Sequence, residues 1–130
     1  MKLFVDTSGI LALIDRDDPA HEGAVAAFSR GRDLPLATHA YAVIETLAVA
    51  RRRFGPQVAA DIIDRVIPAL EVEPVDADLH AAALRDFRAA IESSVSVVDR
   101  VSFAFMRREG IASAIALDAD FRTAGFETIP

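Results

Sequence analysis

Asp6, Glu45, Asp99 and Asp118 are the residues of this chain whose type and spacing could do chemistry, because each one follows a short, mostly apolar run. Asp6 closes Lys2-Leu3-Phe4-Val5, and Glu45 follows Tyr41-Ala42-Val43-Ile44. Asp99 follows Val95-Ser96-Val97-Val98, and Asp118 follows Ala114-Ile115-Ala116-Leu117. Acidic residues so placed are expected where a strand or helix begins or ends. In an open α/β sheet, ligands bind beyond the carboxyl ends of the strands, so such residues converge on one crevice. Several carboxylates in one cleft repel and raise one another's pKa unless a cation relieves them. Hard oxygen donors favour magnesium or manganese, which keep water for substrate and nucleophile. The chemistry this set would support is metal-assisted hydrolysis of a phosphodiester.

Polar neighbours extend the set. Thr7 and Ser8 follow Asp6, Ser102 lies three residues after Asp99 on the same helical face, and Asp120 pairs with Asp118. Each acidic residue also has a plain structural alternative. Asp6 and one of Asp118 or Asp120 suit helix caps, Asp99 with Ser102 suits an N-cap arrangement, and Glu45 suits an exposed helix position. Arginines gather on the same segments, at Arg51-Arg52-Arg53, Arg107-Arg108 and Arg122, while Lys2 is the only lysine. The guanidinium fork pairs bidentately with phosphate, so Arg52 and Arg107 are candidates for contacts to a nucleic-acid backbone. Arg52 shares a helical face with Tyr41 and Glu45 but lies about 10 Å along the axis from Glu45, which suits a neighbouring phosphate rather than a metal. The alternative for any of these arginines is a solvated helix face or an ion pair. His21, His39 and His80 are too scattered for a zinc site and are expected at the surface or half-buried. No HExxH zinc motif and no GxxxxGK[ST] phosphate loop occurs.

The elements that must position these groups alternate between extended and helical patterns. Residues 2–5 read as a buried strand, after which Thr7-Ser8 can cap a helix to about Ile14. Asp17-Asp18-Pro19 then starts a helix from about Ala20 to Arg30, stopped by Gly31. Leu34 to Thr38 reads as a strand, followed by a helix from about Ala40 to Phe54 that ends at Gly55-Pro56. A helix from about Gln57 to Ile67 follows. Leu70 to Val75, broken by Pro74, is expected as a short strand at a sheet edge. Asp76 or Asp78 caps a helix from about Leu79 to Ile91, and Asp99 begins another that ends at Gly110. Ala112 to Leu117 is a buried strand, then comes a helical turn, and Phe126 to Ile129 is the last strand. Strands alternating with helices imply a mainly parallel central sheet with helices on both faces, an α/β fold.

Length and composition set outer limits. The 130 residues are expected to form one domain, residues 1–130, and the 52% hydrophobic content argues against disorder. The longest uncharged run, Leu34 to Ile44, is well short of the roughly 18 residues needed to span a bilayer. Asp6 interrupts the apolar start too early for a signal peptide, so a cytoplasmic protein is expected. The absence of cysteine excludes disulfides and thiolate metal sites. The net charge of −6 runs against the usual basic character of nucleic-acid binders. Clustered carboxylates account for part of that excess, and bound cations would cancel it locally.

Over essentially its whole length the chain resembles PIN-domain proteins of the VapC-like toxin group. The resemblance is carried by Val5-Asp6-Thr7-Ser8, Glu45, Val98-Asp99-Arg100-Val101-Ser102-Phe103, Asp118-Ala119-Asp120-Phe121 and Ala124-Gly125-Phe126. It implies that Asp6, Glu45, Asp99 and Asp118 are the catalytic acids, with Asp6, Asp99 and Asp118 holding Mg2+ or Mn2+ and Thr7, Ser8, Ser102 and Asp120 in support. It further implies an endoribonuclease that is the toxin of a toxin–antitoxin pair, a homodimer silenced by an antitoxin whose tail enters the acidic groove. The apolar segment Val58 to Ile67 would then be either such an interface or core. One position departs from the family pattern: a threonine is common two residues before the last aspartate, and here that residue is Ala116. That departure favours the alternative reading, a catalytically weak PIN-fold binding or regulatory module.

Overall fold

The computed structural model describes residues 1–130. Its strands are Leu3–Val5 (β1), Leu36–His39 (β2), Glu71–Glu73 (β3), Ser113–Ile115 (β4) and Glu127–Ile129 (β5). They form one parallel sheet in the order β3-β2-β1-β4-β5. The helices are Thr7–Ile14 (α1), His21–Ser29 (α2), Ala40–Phe54 (α3), Pro56–Asp61 (α4), Ala77–Ala89 (α5), Val97–Glu109 (α6) and Ala119–Thr123 (α7). The chain winds outward from β1 to β3 and then crosses back to β4. The order therefore reverses between β1 and β4, where a parallel sheet opens a crevice at its carboxyl ends.

The strands alternate their side chains between two cores, as the two-residue period of a strand requires. Leu3, Val5, Leu36 and Ile115 pack on one face with Ile10, Ala27, Ala50 and Ile62. Phe4, Ala37, Ala114 and Ala116 pack on the other with Leu79, Val101, Phe105, Met106 and Phe121. The expected parallel sheet with helices on both faces is therefore what forms. β3 occupies an edge, as Pro74 foretold, and no helix is long and apolar enough to cross a membrane.

Three expectations need correction. The helix expected from Gln57 to Ile67 is α4 followed by a π-helical turn, Ile62–Val66, and a 3-10 turn, Ile67–Ala69. Pro68 has no N–H to continue the ladder. Ile62 in this segment is fully buried and Val58, Val66 and Ile67 pack against the core, so the segment is mainly core, with Ile63 left 51% exposed. α6 begins two residues before Asp99, because Ser96 is its cap: Ser96 Oγ accepts the Asp99 N–H at 3.0 Å. The run before Asp99 accordingly supplies the cap and the opening of the first helical turn. Finally, His39 is completely buried, stacked on Phe4 with ring centroids 5.7 Å apart, and not at the surface.

Candidate active site

Asp6 is the residue after β1 and the N-cap of α1. Its carboxylate accepts the Ser8 N–H at 3.1 Å and the Ser8 hydroxyl. Ser8 Oγ in turn accepts the Leu117 N–H at 3.0 Å, tying the start of α1 to the chain leaving β4. Asp118 follows β4 and caps α7 by accepting the Asp120 N–H at 2.9 Å. Asp99 sits in the first turn of α6, only 7% exposed. Glu45 is one turn into α3 and half-buried. The capping alternatives for Asp6 and Asp118 are thus real, and both residues nevertheless face a common space.

That space is a cleft of about 290 Å³ lined by Asp6, Thr7, Ser8, Leu11, Glu45, Ser94, Ser96, Asp99, Asp118 and Asp120. All four predicted acids line it, together with Thr7, Ser8 and Asp120. The tightest group is Asp99, Asp118 and Asp120, which can each place one carboxylate oxygen within 4.8 Å of the other two. Asp120, expected only in support, stands in this group, whereas Asp6 is engaged with Ser8. Other predicted residues lie elsewhere. Ser102 is fully buried, bonded to His39 and to the Val98 carbonyl rather than facing the cleft. Arg52 is exposed on α3 and lines no part of the cleft. Arg107 donates to the Ala124 carbonyl at 3.2 Å and lies over the Phe126 ring, at the amino ends of β4 and β5. The carboxylates gather at the opposite ends of the strands. Ala116 is buried in the core with Phe4 and Phe121, and the hydroxyl that reaches the end of β4 belongs to Ser8.

The cleft is electrostatically frustrated. Burial pushes the Asp99 carboxyl up to about 7, helped by the charges of Asp6, Asp118, Glu45 and Asp120. Burial raises Asp6 as well, although the Ser8 hydrogen bonds oppose the shift. Glu45 is raised by burial and by Asp6, with the Thr7 hydroxyl opposing the shift. Asp120 is raised by partial desolvation and by Asp118, with the Arg100 guanidinium opposing. The donor set is entirely carboxylate, with polar hydroxyls and no histidine or cysteine in the lining. Such a set fits a hard divalent cation, whose charge would let Asp99 ionise at neutral pH.

Three further residues support this site and escaped the sequence reading. Ser96 positions Asp99 as its cap. Gly9 lets α1 lie against β4, since a Cβ there would meet the Ile115 carbonyl oxygen at 2.6 Å; a glycine inside a helical pattern was the available signal. Arg100, next to Asp99, has a buried Nε without a hydrogen-bond partner and acts on Asp120 through its charge. A larger cleft of about 450 Å³ beside α2 is lined by groups such as Val25, Phe28, Arg32 and Arg65 and contains no carboxylate. Its chemistry is not that of the acidic site.

The PIN domain family model matches residues 3–127. A curated relative, the 23S rRNA-specific endonuclease VapC20 of Mycobacterium tuberculosis, is 36% identical over 125 residues, covering 95% of each chain. The crystal structure of that VapC20, described as a toxin cleaving the sarcin-ricin loop, superposes with a TM-score of 0.88 at 35% identity, over 99% of this chain and all of the other. VapBC2 of Rickettsia felis, bound to promoter DNA, shares the fold with a TM-score of 0.76 at 10% identity over the full length of both chains. The DNA-bound VapBC of Salmonella typhimurium gives 0.71 at 17% identity, over 98% and 96% of the two chains. With a family match over nearly its whole length and a relative of more than a third identity, this chain belongs to the PIN-domain family.

Proposed function

We propose that this protein is an endoribonuclease that hydrolyses RNA phosphodiester bonds with Mg2+ or Mn2+, and that it is the toxin of a toxin–antitoxin pair. The observation that carries the reading is the convergence of Asp6, Glu45, Asp99, Asp118 and Asp120 on one cleft without a histidine or cysteine. The extent of likeness to VapC20 supports the substrate class.

Asp99, Asp118 and Asp120 would hold the ion directly, and Asp6 would join them directly or through water. When bound, such an ion stabilises charge on the phosphate and lowers the pKa of a coordinated water. Glu45, on the opposite helix and raised by burial, completes the shell or orients the attacking water. Ser8 holds Asp6 and the end of β4 in register, and Thr7 ties α1 to α3 through the Ala42 carbonyl. Arg52, and Arg100 next to Asp99, are the arginines we assign to flanking phosphates. Phosphate contacts position RNA without reading its sequence.

The antitoxin is proposed to cover the acidic cleft with a basic side chain, which the carboxylates would pair. A homodimer and a cytoplasmic location complete the proposal. The test is cleavage of RNA, beginning with ribosomal RNA, in Mg2+, in Mn2+ and in chelator, beside Asp99→Asn. Metal-dependent cleavage lost in the variant is expected. Metal binding without any cleavage would favour the regulatory-module reading that Ala116 suggested.

A further inference from the structure

His39 is the last residue of β2 and the N-cap of α3, and neither the carboxylate chemistry nor any phosphate contact uses it. It is wholly buried among Phe4, Phe105 and Tyr41, with ring centroids at 5.7, 5.8 and 6.2 Å. Its Nδ1 accepts the Ala42 N–H at 3.2 Å, so the ring proton is on Nε2, 2.8 Å from Ser102 Oγ. Ser102 Oγ passes its own proton to the Val98 carbonyl at 3.1 Å. On the other side, the Ala42 carbonyl accepts Thr46 Oγ1 at 2.7 Å and Thr7 Oγ1 at 3.2 Å, while Thr7 and Thr46 lie 2.9 Å apart.

These bonds form one connected set running from α6 through β2 and α3 to α1. Each residue it anchors stands beside an acid: Ser102 is one turn after Asp99, Thr46 follows Glu45, and Thr7 follows Asp6. Hydrogen bonds are directional and strengthen in a desolvated core, so they set the relative placement of helices more narrowly than apolar contact does. The four acids meanwhile repel one another, and something must hold their helices together before a cation arrives.

We propose that His39, through its bond to Ser102, is a positioning residue that sets the first turn of α6, and so Asp99, against α3 and Glu45. The proposal rests on the reading that these carboxylates bind a divalent ion. Burial holds the imidazole neutral, with its pKa lowered to about 4, so the same bond persists across the neutral range.

The experiment compares wild type with Ser102→Ala, His39→Asn, His39→Gln and the double variant Ser102→Ala/His39→Asn, reading Mn2+ affinity by calorimetry and amide exchange without metal. Ser102→Ala keeps the ring and its cap in place. His39→Asn keeps the cap but is too short to reach Ser102, and His39→Gln retains a donor near Nε2. Circular dichroism establishes that each variant is folded. Ser102→Ala is expected to weaken Mn2+ binding about tenfold, in the range seen for outer-shell partners of metal sites. The double variant is expected to be no weaker than the worse single one, since both remove the same bond. His39→Gln is expected to bind more tightly than His39→Asn. Amide exchange at Asp99 and Arg100 is expected to accelerate in Ser102→Ala even without metal. Wild-type Mn2+ affinity in folded Ser102→Ala overturns the proposal. If the wild type itself binds no Mn2+, the metal reading fails, and unchanged exchange at Asp99 and Arg100 in Ser102→Ala overturns the positioning role on its own.

Discussion

Ser8 Oγ accepts the Leu117 N–H across 3.0 Å while giving its own proton to Asp6. One hydroxyl thereby joins the end of β1 to the residue preceding Asp118, on the two sides of the sheet's switch point. Removing it in Ser8→Ala should lower stability by about 1–3 kcal/mol, the usual net worth of the two bonds it makes. It should reduce RNA cleavage more than the lost stability explains, because both Asp6 and Asp118 lose their common brace. Chemical denaturation beside cleavage rates checks both parts.

Asp99→Asn is expected to abolish metal-dependent cleavage. The metal-free variant should be as stable as wild type or more so, because the change removes a charge repelled by Asp6, Asp118, Glu45 and Asp120. Thermal melting in chelator measures this. Marked unfolding would instead make Asp99 a structural residue.

The pH dependence of metal-free stability follows from the burial of these acids and from their mutual repulsion. Asp99 titrates near 7 in the folded state against an ordinary value of 3.8, so the folded form holds its proton more tightly. Its contribution is complete below the unfolded value and is lost as pH rises through about 7. Asp6, Glu45 and Asp120 shift in the same direction. His39 runs the other way: lowered from 6.5 to about 4, it loses stability as pH falls through that interval. Above pH 6.5 only the acids act. Melting temperature without metal should therefore fall from there to about pH 8, and the fall should shrink with saturating Mg2+ or in Asp99→Asn.

Gly9→Ala places a methyl against the Ile115 carbonyl oxygen and side chain, at 2.6 and 2.9 Å. Since backbone cannot yield as a side chain can, destabilisation of about 1–3 kcal/mol is expected. Weaker Mn2+ binding should accompany it, because α1 carries Asp6 at its cap. Ala at exposed Gly110, where φ is +67° and no atom lies within 4 Å, should cost about 1 kcal/mol without altering metal binding.

Arg107 distinguishes proximity in sequence from proximity in space. It is held by the Ala124 carbonyl and the Phe126 ring, 5.4 Å away. Arg107→Ala is expected to lower stability by about 0.5–1 kcal/mol through the lost cation–π contact. The KM for RNA should stay unchanged, whereas Arg100→Ala should raise it. Steady-state cleavage kinetics on the two variants separates the roles.

The sequence by itself determined the parallel α/β sheet, since its hydrophobic period switches between strand and helix at nearly every boundary. Three turns with their caps, at Asp6, Gly55-Pro56 and Asp76, were legible because they depend on residues a few positions apart. The four acids were legible too, because each interrupts an apolar run. The tertiary structure decided which of them meet most closely. Asp120 joins Asp99 and Asp118 within 4.8 Å while Asp6 turns to Ser8, a choice made by packing between elements far apart in the chain. Burial of His39 beside Ser102 was equally invisible, because local pattern cannot report a bond spanning 63 positions. The π-helical turn after α4 and the early start of α6 also escaped, the first through the demands of burying Ile62 and the second because Ser96 and Asp99 are both able to cap. Local periodicity thus fixes what each segment is, and the desolvation and repulsion that give the cleft its chemistry arise only when the segments meet.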